Sequence, residues 1–211
     1  MQFFKYALVA LSFGSAIAMP ASQPEDRALN VGGATTDLVA VKALVGAVGG
    51  IKVNVDAHLL ALEKILDGTV TVQVVPTLQA TLKSVRTEIL SIEAKVGPLL
   101  QGTVKPLAHV ELDVVLNLLN DVVALVNGIE VTVKDLLHGL PADVRKTVQS
   151  DLTYVLVTLN PAIQPVLDLS LGLVGVQTGG VVVEINGLIN TLNGLLGGLL
   201  NGLLGTVVKI L

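Results

Sequence analysis

Three histidines, His58, His109 and His138, and 17 Asp and Glu residues are the side chains from which metal binding or acid–base chemistry would be built. Metal sites draw several ligands to one point, and a helical histidine pair stands three or four residues apart. The histidines here are far apart in sequence, and the chain has no cysteine. Glu111 and Asp113 are two residues apart and Asp143 and Asp151 eight, so neither pair sits side by side on a helix. A Gly-x-Ser-x-Gly elbow and a glycine loop ending in Lys-Ser/Thr are both absent from the sequence. His138 precedes Gly139-Leu140-Pro141 and reads as a cation closing a helix. His58 and His109 read as polar-face residues. The expectation is a non-enzyme with no metal and no cofactor.

The N-terminus directs the chain towards export. Lys5 precedes a short apolar run, Ala7 to Phe13, and Ala16-Ile17-Ala18 has the small residues a signal peptidase reads. Residues 1–18 are expected to be a secretory signal peptide; the run is short for a membrane span. Phe3, Phe4, Tyr6 and Phe13 all fall within it, which leaves Tyr154 as the one aromatic residue beyond. Losing Lys5 moves the formal charge from −4 to −5. An acidic chain without aromatic platforms suits neither duplex phosphates nor single-strand stacking, so no nucleic acid partner is expected. With no disulfide to cross-link it, the exported protein must draw its stability from aliphatic burial.

Positioning of any site falls to the helices. Residues 19–36, with two Pro and two Gly, read as a flexible leader, and residues 37–180 as a helical bundle. Two shorter helices, Thr36 to Val48 and Lys52 to Leu66, are expected on either side of Gly49-Gly50. Val74, Leu78, Leu82, Val85, Ile89, Ile92 and Val96 follow steps of three and four, with Pro76 in the first turn and Gly97-Pro98 as the stop. A third stripe spans Val104 to His138 and includes Leu118 and Val122, with Gly128 as a bend or break. Val144, Val148, Leu152, Val155 and Leu159 form a fourth, ending before Pro161; a fifth segment runs from Ala162 to about Val176. Period-two alternation at 69–74 and 175–183, together with the many valines, keeps some β structure open. The fold class is all-α: five to seven amphipathic helices.

Residues 181–211 stand apart. Ile185 to Val208 is free of charge, and a four-residue Leu-Leu-Gly pattern recurs. On a helical wheel the aliphatic residues, including Leu192, Leu196, Leu199 and Leu203, take one half and Asn and Gly the other. Three readings stand for this segment: a core helix whose glycine face admits a close neighbour, a helix facing a lipid interface, or a processed membrane or GPI anchor.

The signal ending in Ala-Ile-Ala-Met-Pro-Ala, the lack of cysteine and the Val/Leu/Ala/Thr-rich helices resemble the fungal hydrophobic surface-binding protein A family, of the cell-wall mannoprotein type. The resemblance is carried by Asp37 to Leu66, which opens Asp-Leu-x-x-Val-x-x-Leu, and by Leu140 to Leu173. It implies an all-helical secreted or cell-wall protein that coats hydrophobic surfaces or holds fatty acids in an apolar core, and supplies no catalytic residues. The tail from Asn186 to Leu211 departs from that pattern. Its Gly-Leu-Leu runs are similar in composition to airway surfactant proteins, which carry cysteines.

Charged residues make up 14% of the chain, against about 25% on average. Such a chain either buries its apolar faces very efficiently or exposes some of them for binding. The expected partner is a hydrophobic surface or an acyl lipid, with membrane or cell-wall association. The candidate apolar lining or interface is Val74, Leu78, Leu82, Val85, Ile89, Leu118, Val122, Leu152, Val155, Leu192, Leu196, Leu199 and Leu203. Two other readings stand beside it: a structural or effector-like protein that meets a protein partner, and an anchored wall protein.

Overall fold

The computed structural model describes residues 34–101 and 104–208. The expected signal peptide and most of the expected leader lie outside the described residues. Five long helices form an all-α bundle: α1 (Ala34–Leu66), α2 (Val75–Leu100), α3 (Asp113–Gly139), α4 (Ala142–Val174) and α5 (Gly180–Gly198). A wider π-helical turn, Leu199–Leu203, leads into the short α6 (Leu204–Val208). Among the described residues there is no strand. The alternating 69–74 window is a short loop running into a 3-10 turn, and 175–179 is the turn before α5.

Helix directions follow from the contacts. Asn54 bonds Glu88 across α1 and α2, and Gln79 bonds Asp151 across α2 and α4. Only Leu140 and Pro141 separate α3 from α4, so these two run antiparallel. Gly49 faces Asp121, Gly128 faces Leu59 and Gly139 faces Leu66, so α1 and α3 run parallel. The odd-numbered helices α1, α3 and α5 form one layer and α2 and α4 the other, with α6 returning to α4. One continuous aliphatic cluster fills the space between the layers.

Several boundaries differ from those the sequence predicts. Helix α1 begins at Ala34, three residues inside the expected leader, and passes unbroken through Gly49-Gly50. Two internal glycines cost about 1 kcal/mol each relative to alanine. A break there would forfeit the buried stripe Val41, Leu44, Val48, Ile51, Val55, Leu59 and Leu62, which runs through that point in steps of three and four. Helix α4 likewise runs through Pro161 and Pro165. An internal proline frees the carbonyl four residues before it. Here those carbonyls belong to Val157 and Pro161, both on the exposed side of α4, while the inner side keeps Leu156, Leu159, Ile163 and Val166 buried. Pro98 lies on the exposed side of the last turn of α2, which ends at Leu100 instead of at Gly97.

The third helix starts at Asp113, not at Val104. Residues 104–108 are irregular because Pro106 interrupts them and the end of α4 holds them: the Leu107 N–H donates to the Leu173 carbonyl at 2.8 Å, and Gln177 donates to the Leu107 carbonyl at 2.6 Å. Gly175, at φ 60°, and Gly179, at φ 142°, turn the chain from α4 to α5. A Cβ at Gly175 would lie 2.6 Å from the Pro106 ring, and one at Gly179 would lie 2.6 Å from His109. Gly128 does not break α3; it lets Leu59 of α1 approach, a Cβ there meeting Leu59 at 3.2 Å.

Candidate functional site

Twelve of the thirteen candidate residues converge in the core. Leu78, Leu82, Val85 and Ile89 of α2, Leu118 and Val122 of α3, Leu152 and Val155 of α4, Leu192 and Leu196 of α5, and Leu199 and Leu203 of the π turn are all buried in the same cluster. Val74 is half-buried at its edge, because the 3-10 turn places it just before α2. These residues pack against one another.

A cavity of about 370 Å³ lies in the groove between α1 and α2. His58, Ala80, Lys83, Ser84, Thr87 and Glu88 line it. That polar lining does not suit an acyl chain.

How the core is held decides what it can do. Among the described residues its members are aliphatic, with Thr132, Thr158 and Ser170 the buried polar side chains. Thr158 donates to the Tyr154 carbonyl at 2.6 Å and Ser170 to the Val166 carbonyl at 2.7 Å, both within α4. The ion pairs Lys52–Asp56 and Lys134–Glu130 each lie within a single helix. Directional ties between helices are few among the described residues: Asn54 to Glu88, Gln79 to Asp151, Arg145 to the Leu137 carbonyl, and Gln149 to the Val207 carbonyl. Arg86 of α2 stacks its guanidinium 5.0 Å from the ring centroid of Tyr154 on α4. The helices bond their backbones mostly internally, with the Leu137, Leu173 and Val207 carbonyls also accepting from outside their own helix, and the bundle coheres mainly through non-directional burial. By length and composition, Leu38–Leu66, His109–Gly139 and Ala142–Val174 are apolar enough to cross a membrane.

Among the described residues, open space lies where most of the C-terminal glycines would carry a Cβ. A Cβ built at Gly187, Gly194, Gly197, Gly198, Gly202 or Gly205 meets no atom within 4 Å. Among the described residues no neighbouring helix backbone comes close to that face. The aliphatic half of α5 turns inward through Ile185, Ile189, Leu192 and Leu196, and Asn186, Asn190 and Asn193 turn outward.

One constellation escapes a reading of the sequence. Asp121 of α3 lies beside the Lys52–Asp56 pair of α1 and opposite Gly49, where a methyl would come 3.6 Å from its Oδ2. Its carboxyl is raised above the usual range. Desolvation is the largest cause, the Asp56 charge adds to it, and the Lys52 ammonium opposes it. The Lys52–Asp56 spacing of four is visible in the sequence, but only the parallel packing of α1 on α3 brings in Asp121. Among the described residues no three His, Asp or Glu side chains converge as a metal site would require.

No family model, curated protein or solved structure matches this chain.

Proposed function

We propose that this is a secreted or cell-wall, non-catalytic protein that adsorbs to hydrophobic surfaces or acyl-lipid assemblies by opening its bundle onto them. The observation that carries this is the single aliphatic core without cross-links or interhelical ion pairs among the described residues. Unpacking the layers in water exposes apolar area at about 25 cal/mol per Å². Unpacking them on an apolar surface removes the same faces from water again, so the loss is offset. The helices survive the exchange because their hydrogen bonds are mostly internal. The resemblance to the fungal hydrophobic surface-binding family agrees with this reading.

Drop tensiometry with parallel circular dichroism tests it. The purified protein is expected to lower air–water surface tension and to stay helical on a hydrophobic resin. A protein that leaves the surface tension unchanged and elutes unretained from the resin overturns the proposal. Because α1, α3 and α4 have the length and apolarity of spans, retention in bilayers after alkaline washing would assign membrane insertion in place of surface adsorption.

A further inference from the structure

Helix α1 presents two apolar faces. The inner one packs into the core. The outer one carries Val39, Gly46, Val53 and Leu60 at intervals of seven, with Ala43, Gly50 and Ala57 between them, and all seven are exposed. Val39, Val53 and Leu60 are 67%, 65% and 51% exposed. Alternating steps of four and three over three heptads form the seam by which one helix packs along another. Space beside it is open: a Cβ at Gly46 or Gly50 meets nothing within 4 Å.

The residue sizes select the kind of partner. A lipid-seeking face displays Leu, Phe or Trp flanked by many Lys and Arg. Apart from Leu60 at its end, this seam displays glycine, alanine and valine, which admit a second backbone closely. Its charged flank selects the partner further. Lys42 is exposed near one end and Glu63 is half-exposed near the other, 21 residues on and therefore on the same side of the seam. A parallel copy sets that flank against the partner's opposite flank, Ala40, Ala47, Asn54 and Ala61, where no charge answers Lys42 or Glu63. An antiparallel copy sets each Lys42 beside the other's Glu63, and the contact is self-complementary about a two-fold axis.

We propose that the outer face of α1 is a self-docking seam on which a second copy of this chain lies antiparallel, with Lys42 of each copy paired with Glu63 of the other. The inference does not depend on surface adsorption. The axis falls midway between residues 42 and 63, within one residue of Val53. Residue 39 then lies opposite residue 66 of the other copy, so the two Val39 residues are about 40 Å apart at 1.5 Å per residue. The two Leu60 residues are about 22 Å apart on the same basis.

Single cysteines in this cysteine-free chain read that geometry directly. Val53→Cys is expected to form a disulfide dimer under mild oxidation, and Val39→Cys and Leu60→Cys are not, because a disulfide needs Cα atoms within about 7 Å. All three sites are exposed, so the fold tolerates them. Sedimentation equilibrium supplies the independent arm. Lys42→Glu or Glu63→Lys alone is expected to weaken the dimer roughly 2- to 30-fold, for two symmetry-related exposed pairs. The double variant K42E/E63K is expected to restore it. Three results each overturn the proposal: a monomer at every soluble concentration, cross-linking at all three positions, and failure of the double variant to recover. A monomer whose binding to phosphatidylcholine vesicles is lost with Val53→Glu also overturns it and assigns the seam to lipid.

Discussion

If adsorption proceeds by unpacking, weakening the core must speed it. Leu118 is fully buried in α3. Truncating such a leucine to alanine costs about 3 kcal/mol, the transfer of its side chain plus the void it leaves. Every 1.4 kcal/mol is a factor of ten, so the unpacked population rises about 100-fold. If half of that loss is felt at the opening barrier, the opening rate rises about 10-fold. Leu118→Ala should therefore shorten the lag before surface pressure develops by about 10- to 100-fold at equal concentration, with urea unfolding confirming the loss of stability. Val131→Ala, on a half-exposed position of the same helix, should change stability by under about 0.5 kcal/mol and leave the lag unaltered. A preformed lipid site built on this leucine gives the opposite sign, because its truncation removes contact area. An unchanged or lengthened lag in a demonstrably destabilised Leu118→Ala protein refutes the opening mechanism.

Three other perturbations test the physical account. The folded Asp121 carboxyl is raised, so its contribution to stability is fully present below its unfolded value near 3.8 and is lost as pH rises through the folded value. Asp121→Asn should abolish that part of the pH dependence and, by under about 1 kcal/mol, stabilise the protein at neutral pH. Urea titrations of both proteins from acid to neutral pH measure the difference. Gly49→Ala should stabilise by about 0.5–1 kcal/mol, since its Cβ meets Asp121 at an ordinary 3.6 Å and α1 is continuous there; a lowered melting temperature would instead mark a break in the helix. Gly179→Ala should cost at least about 1 kcal/mol, because φ 142° is strained for alanine and His109 occupies the space, and pairing it with His109→Ala should recover only the steric part.

The pattern of what the sequence disclosed follows from the range of each force. Apolar spacing is local, so the stripes Leu78–Ile89 and Val144–Leu159 read correctly, and so does the stop at His138-Gly139-Leu140-Pro141. Helix breaks did not, because Gly49-Gly50 and Pro161 are local penalties overruled by tertiary gain. Proline disrupts a helix only as far as its freed carbonyl lacks a partner, and whether that carbonyl faces water depends on which side of α4 the core lies. Partners separated by tens of residues were the least legible. Asp121 reaches Lys52 and Asp56 only because α1 and α3 run parallel, and no spacing rule carries that information.

The same chemistry explains both surfaces of α1. A bundle held by aliphatic contact gains specificity only from spacing and size, since burial itself has no direction. On the inner face, large residues at three and four interlock with α2 and α3. On the outer face the same spacing recurs with mostly small residues and Leu60 at one end, a shape that fits a helix better than a flat apolar surface. If the bundle opens to adsorb, an α1 paired across its outer seam would still offer its inner stripe to the surface. Dimerisation and adsorption would then draw on opposite sides of one helix. A Val53→Cys cross-linked dimer that adsorbs as fast as the reduced protein would show that the two faces act independently; one that cannot adsorb would show that α1 must be free on both sides for the layers to part.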